Sequence, residues 1–371
     1  MLKIEEYYTS IPSASIITMM EKPEIINRLL NTLICNFAGF DFMKLKVDVE
    51  PVHEELEEYN SLSTEQFKGV NRVRAYYDGH QLDLLTIMEN INRNTHLNTK
   101  VYSPVVGCPI GCSYCFTKKV IDHFGIAEDF KNCHFRGFYK LTKDADGYDI
   151  PELFNVDSDN PIDWFLNYMS DFGCWKPEWQ ENVLRQAIAA SELKRRQGRC
   201  VDTFQFVTKN PKGIDLSPIR PELDLFNIII SCTVDRNSAT NRIKDLIKKA
   251  GTHYVTGCVV YQPVLEHIDP VNLDEFVKIF GKEYSWVIIG GEIGGKEPCK
   301  FEWIKDIIDK CIELEIPVKI EPDLKKLVED NGYKFLVQEP KPIREAKEVR
   351  MKNLAKKQAD ESTANCKDIS A

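Results

Sequence analysis

From about residue 97 onward, short apolar runs alternate with stretches of helical periodicity. The runs are Lys100–Val106, Trp164–Met169, Thr203–Val207, Phe226–Ser231, Val255–Tyr261, Trp286–Ile289 and Pro317–Ile320. Most are apolar on both faces, the pattern of parallel strands covered by helices on one side and packed core on the other. Between them, Thr117–Phe124, Glu178–Arg196, Ser238–Ala250, Asn272–Phe280 and Phe301–Leu314 repeat apolar residues near the helical spacing. The alternation predicts an α/β fold, a TIM-type barrel or partial TIM barrel of about six to seven parallel strand–helix units. In such barrels the loops after the strand C-termini carry the chemistry.

Residues 1–95 do not share this rhythm. Pro23–Phe37 reads as an amphipathic helix, His53–Tyr59 as an acidic helix start and Leu82–Asn92 as a further helix, so an N-terminal helical extension is expected before a barrel at 96–340. Residues 341–371 read as a charged tail, a helix fraying at its end. No apolar run approaches the length of a membrane span, and Met1–Tyr8 lacks the apolar core of a secretory signal. The expectation is a soluble, cytoplasmic protein with no membrane contact.

Charge narrows the partners. Lys and Arg number 48 against 57 Asp and Glu, a net charge of −9. Extensive wrapping by nucleic acid calls for a basic surface, so it is not expected here. The run from Lys194 to Arg199 reads as a basic helix terminus complementing the helix dipole, and less readily as a phosphate contact.

The 12 cysteines are mostly scattered, as small buried apolar residues usually are. Cys108, Cys112 and Cys115 are different. They sit on Gly107-Cys108-Pro109-Ile110-Gly111-Cys112-Ser113-Tyr114-Cys115, between the first strand and a helix. Thiolates at C-x3-C-x2-C spacing can converge on one inorganic centre. A structural zinc takes four protein ligands, which His123, Cys133 or His134 could complete. A four-iron cluster usually takes four Cys, and three would leave one iron open.

This loop, with its aromatic before the third cysteine, resembles the signature of radical S-adenosylmethionine (SAM) enzymes. The resemblance implies a [4Fe–4S] cluster on Cys108, Cys112 and Cys115, with SAM chelated by the fourth iron and Tyr114 near its adenine. It implies one-electron cleavage of SAM to a 5′-deoxyadenosyl radical that abstracts a substrate hydrogen. It also implies a reducing partner such as flavodoxin or ferredoxin. Tyr168–Asp171 with Trp175 and Trp179, Phe206–Pro211 and Trp286–Glu292 are similar to segments of a phage-associated radical SAM family. The last strand departs from that family, reading Lys319-Ile320-Glu321-Pro322-Asp323.

Under this resemblance the strand-end residues acquire roles. Ser170 and Asp171 would meet the SAM ammonium, although Asp171 suits a helix N-cap equally well. Thr208 and Lys209 end the third strand, where Lys209 would face the SAM carboxylate or solvent. Ser231, Thr233 and Asp235 would hold ribose hydroxyls or that carboxylate, unless Asp235 caps the following helix. Glu292, Glu321 and Asp323 are candidate catalytic acids, suited to a substrate rich in N–H donors; their bland alternative is pairing with Lys319 or Lys296. Trp164, Trp175 and Trp179 read as packing residues.

In size and organisation the chain is similar to the queuine lyases, radical SAM salvage enzymes that release the precursor preQ1 from queuine. That likeness implies a lyase cleaving a C–N bond in a 7-deazaguanine-type base, a small-molecule substrate. Two alternatives stand beside it. One is a nucleic-acid lesion lyase of the spore photoproduct type, which shares the cysteine spacing; the other is a zinc-structured binding protein without catalysis.

Overall fold

The computed structural model describes residues 41–51, 71–84, 99–124, 129–138, 140–217, 219–220, 223–292 and 297–368, together with 5, 8–9, 16–18, 25–26, 29–30 and 33. The chain divides into two compact units. One comprises residues 1–102 and 116–128, the other 103–115 and 129–371.

The first unit contains a four-stranded antiparallel sheet, which the helical expectation for residues 1–95 missed. Asn71–Tyr77 pairs with both Ile16–Thr18 and Leu45–Pro51. Val73, Ala75 and Tyr77 are buried while the residues between them are partly exposed, the period of two that a half-buried strand requires. Asp78 and Gly79, both at positive φ, close the tight turn onto His80–Gln81. The expected helix at 23–37 is visible at residues 25, 26, 29, 30 and 33, all helical, with Ile25, Ile26, Leu30 and Leu33 buried. His53–Tyr59 and nearly all of Leu82–Asn92 lie outside the described residues. Helix Phe116–Phe124 follows the cysteine loop, and His123 Nε2 stands 3.2 Å from the Leu45 carbonyl.

The main sheet is parallel, has seven strands and curls into a half-barrel. Its strands are β1 (Thr99–Val101), β2 (Asp163–Phe165), β3 (Thr203–Thr208), β4 (Asp224–Thr233), β5 (Tyr254–Tyr261), β6 (Ser285–Ile289) and β7 (Val318–Ile320), neighbours in space as in sequence. The helices between them are α1 (Pro177–Arg196), α2 (Asn241–Ala250), α3 (Leu273–Phe280) and α4 (Phe301–Glu313). Pro177 opens α1 at a position where its missing N–H costs nothing. Strand β4 is buried almost throughout, as its run of three isoleucines demands.

Two strands differ from their sequence reading. Lys100–Val106 is not continuous: Val105–Val106 forms a separate antiparallel pair with His134–Phe135. Pro104 stands at the break; it has no N–H, and its carbonyl accepts from Arg136 and Gly137. Trp164–Met169 shortens to β2, because Asn167 turns its amide onto the backbone of Val207. Its Nδ2 donates to Val207 O (2.6 Å) and its Oδ1 accepts from Val207 N (2.8 Å), so a side chain completes the ladder.

The charged tail forms a helix, as expected, α5 (Lys341–Asp368), and its first turns pack against the sheet. Ile343 is buried in one cluster with Ile229, Cys258, Val260 and Trp286, flanked by Val207 and Ile288. These alternate positions of β3 to β6 share one sheet face, so Ile343 packs against it. Arg350 then pairs with Asp163 at 2.9 Å and donates to Pro161 O. Among the described residues, no helix is long and apolar enough to cross a membrane.

Candidate functional site

Because the strands are parallel, their C-terminal ends share one rim, and the cysteine loop belongs to it. Gly107 forms a parallel bridge with Ser170 beyond β2. Gly107 adopts φ +101, and a Cβ there would lie 2.1 Å from Asn132 O. Only glycine lets the loop pass so close to the 130–132 segment, which also accepts Cys108 N at Phe130 O (2.7 Å). Gly107→Ala is therefore expected to destabilise the fold by at least about 1–3 kcal/mol and to dislodge the thiol loop. Urea unfolding measures the first effect; an unchanged midpoint would contradict the close packing.

Cys108, Cys112 and Cys115 form no disulfide, and each is partly exposed. Burial, with smaller contributions from Asp171 and the other two thiols, pushes Cys108 up to about 12. Cys112 Sγ lies 3.2 Å from Lys209 Nζ, a cation placed against a sulfur. Among the described residues, no three His, Cys, Asp or Glu side chains stand together as a metal-holding group. The donor chemistry of the loop nevertheless fits a thiolate-held centre: three sulfurs on one short loop, with an ammonium beside one of them.

The polar residues at the ends of β3 and β4 meet this loop. Lys209 hydrogen-bonds the Tyr114 hydroxyl and sits 4.1 Å over its ring. Tyr114 donates to Asp235 Oδ2, which lies 3.5 Å from Lys209 Nζ. Arg242, which the sequence reading did not single out, closes the group: Nη1 reaches Asp235 Oδ1 at 3.0 Å and Thr233 O at 2.8 Å. Burial pushes the Asp235 carboxyl up, but the Tyr114 hydroxyl, Lys209 and Arg242 outweigh it and hold the group below its ordinary value. Burial, then Asp235, raises the Tyr114 phenol. Asp235 thus binds a side-chain constellation; the short helical turn at Asn237–Ala239 has Arg236, not Asp235, at its cap. Ser231 and Thr233 are buried near the C-terminal end of β4.

Asp171 is engaged within the fold. It accepts from the Thr208 hydroxyl and from Lys209 N (2.7 Å), and burial raises its carboxyl despite these bonds. Ser170 Oγ accepts Trp175 Nε1 at 2.9 Å. Asp171 thus latches the end of β3 to the segment after β2, holding Lys209 toward the loop. Burial also raises the Cys133 and Cys174 thiols, with Asp171 adding to both shifts. Cys133 Sγ donates to Gly107 O at 3.2 Å.

The three acids separate. Glu321 pairs with Lys319 at 2.8 Å, the bland alternative weighed for it. Asp323 Oδ2 accepts Gly291 N at 2.9 Å, and burial raises its carboxyl. Asp323 therefore anchors the residue before Glu292. Glu292 is half-buried and, among the described residues, has no ion pair; Lys296 lies outside them.

The basic run that closes α1 divides too. Lys194 is buried and pairs with Asp202 at 2.6 Å, whereas Arg196 and Arg199 bind surface carboxylates. A groove of about 1180 Å³ lies elsewhere, at the N-terminal ends of β6 and β7, lined by Ile312, Ile316, Val337 and Met351 among others. Its charged lining residues pair with one another, Lys282 with Glu315 and Lys347 with Glu339.

A family model described as a protein of unknown function, DUF5131, covers residues 93–320. No curated protein and no solved structure matches the chain.

Proposed function

We start from the premise that this chain belongs to the DUF5131 family and propose that it is a radical SAM enzyme, with a [4Fe–4S] cluster on Cys108, Cys112 and Cys115. The observation that carries the reading is the three-thiol loop at the C-terminal rim of a parallel half-barrel, with Lys209 against Cys112 and Tyr114. When bound, the cluster and SAM supply a carbon radical that abstracts hydrogen from a substrate. The residues of the chain bind and orient. Cys108, a protonated thiol in the free protein, would give up its proton on ligating metal. Lys209, Asp235 and Arg242 present opposite charges on one rim, a fit for the carboxylate and ammonium ends of an amino acid. Asp171, through Thr208 and Lys209 N, positions rather than binds.

For the substrate we propose a 7-deazaguanine-type base, cleaved at a C–N bond, as in queuine salvage. Glu292 is the acid best disposed to accept a guanine-like pair of N–H donors, with Asp323 steadying its backbone through Gly291. A reducing protein would deliver the electron.

Product analysis by mass spectrometry, after reduction with SAM and a panel of modified bases, tests the reading. Queuine is expected to yield preQ1 together with 5′-deoxyadenosine. Absence of 5′-deoxyadenosine under every condition would exclude radical SAM chemistry; its formation without base cleavage would exclude only the substrate. Glu292→Gln is expected to lower queuine turnover by about 10- to 100-fold while SAM cleavage without substrate persists. Equal loss of both would remove Glu292 from substrate recognition.

A further inference from the structure

The inner face of the half-barrel is built in registered tiers. Val207, Ser231, Cys258 and Trp286 are cross-strand partners in one tier, and Thr233, Val260, Ile288 and Lys319 in the next. Helix α3 packs on the other face, where a Cβ on Gly257 would meet Phe276 and Phe280 at 2.8 Å. Two residues beyond the second tier, at the strand ends, stand Asp235, Gln262, Gly290 and Glu321. Gly290 is the gap among them. A Cβ there would lie 2.6 Å from Gln262 Cδ and 2.7 Å from its Nε2, so the missing side chain is what admits the glutamine amide. Backbone bonds bracket Gln262: Gly290 N donates to Tyr261 O (2.9 Å) and Val264 N to Gly290 O (3.0 Å). Leu265 N donates to Asp235 O at 3.2 Å, tying the same loop to the end of β4.

Gln262 is half-buried, and among the described residues its side-chain amide has no hydrogen-bond partner. The cations of this rim are engaged, Lys209 and Arg242 with Asp235 and Lys319 with Glu321. Gln262 is thus an uncommitted neutral donor among carboxylates and paired cations. We propose that Gln262 is a specificity-determining residue whose Nε2 donates to the carbonyl oxygen at C6 of the substrate base; the inference rests on the 7-deazaguanine reading and extends it. Glu292, two residues after Gly290, would accept the two N–H donors of a guanine-like edge. A carboxylate only accepts, so the carbonyl beside those donors needs a donor of its own. A free amide supplies one without adding an unpaired charge to a half-buried site. The adenine of SAM is the competing occupant and fits less well. Tyr114, on the cysteine loop, lies against Lys209 and Asp235, which places the SAM end of the rim at β3 and β4, whereas Gln262 lies between β5 and β6.

Calorimetric titration of queuine into the unreduced, iron-loaded full chain with SAM present tests the assignment. Gln262→Leu is expected to weaken queuine binding by about tenfold. Gln262→Glu is expected to weaken it at least as much, because a carboxylate would face the carbonyl lone pairs; being isosteric, it keeps the test sound where leucine disturbs the rim. SAM affinity, titrated separately, is expected to stay unchanged in both variants. Full queuine affinity in Gln262→Leu would overturn the assignment. Retained affinity in Gln262→Glu would do the same, since it would make Gln262 an acceptor, as would loss of SAM affinity in place of queuine affinity. A parent protein that forms 5′-deoxyadenosine but binds no queuine removes the substrate reading and this inference with it. Parent binding that ignores both variants removes this inference alone.

Discussion

Protein purified without oxygen is expected to be brown and to hold about four irons per chain, and Cys108→Ala, Cys112→Ala or Cys115→Ala is expected to lose nearly all of them. A cluster held by three thiolates has no protein ligand to spare, so deleting one leaves an iron open to solvent and the cluster unstable. The three substitutions are also mild for the fold, since each side chain is partly exposed on a loop rather than in the core. Circular dichroism should therefore be unchanged while the absorbance of the cluster vanishes. Stoichiometric zinc in the parent protein would reject the iron centre and support the structural-metal alternative. Full iron retention in all three variants would move the ligands elsewhere.

At the opposite end of the sheet, Lys194→Met is expected to lower stability by about 3–5 kcal/mol. The Lys194 and Asp202 side chains are 1% and 2% exposed and 2.6 Å apart. Asp202 also accepts Ile162 N at 2.8 Å, and Asn227 Nδ2 ties Ser191 to the Asp202 carbonyl. Removing the ammonium strands a carboxylate in a site whose burial already raises its protonation. Lys194→Met with Asp202→Leu removes both charges and should recover much of the loss. The difference in urea midpoint between single and double variants checks this. A single-variant loss below about 1 kcal/mol would mean that water reaches the pair. Because the pair sits by the start of β3, iron content should stay normal in the folded variants.

The strands were legible because both faces are buried. Thr203–Val207, Val255–Tyr261 and Trp286–Ile289 differ from their observed bounds by a residue at most. The failures have physical causes. Asn167 mimics backbone pairing with a side chain, and Pro104 interrupts a run that composition alone makes continuous. Lys194 falls on the buried face of α1 with Ala187, Ala190 and Ser191, but its charge masks that periodicity. The cysteine loop announced itself through spacing. The contacts of Lys209 with Cys112, Tyr114 and Asp235 did not, because they join residues from separate strand ends. Arg242 gave no signal beyond being a charged residue on an amphipathic helix.

Ile343 and Arg350 arrive late in the chain yet complete the packing laid down by β3 to β6 and the start of β2. During synthesis the strands therefore leave the ribosome before their last packing partner exists, and the growing polypeptide must wait with greasy isoleucine and tryptophan surface wetted. Chaperone capture would be concentrated in that interval. A premature stop codon just upstream of Ile343 would prolong the wait indefinitely, yielding insoluble product rather than a shortened but serviceable molecule.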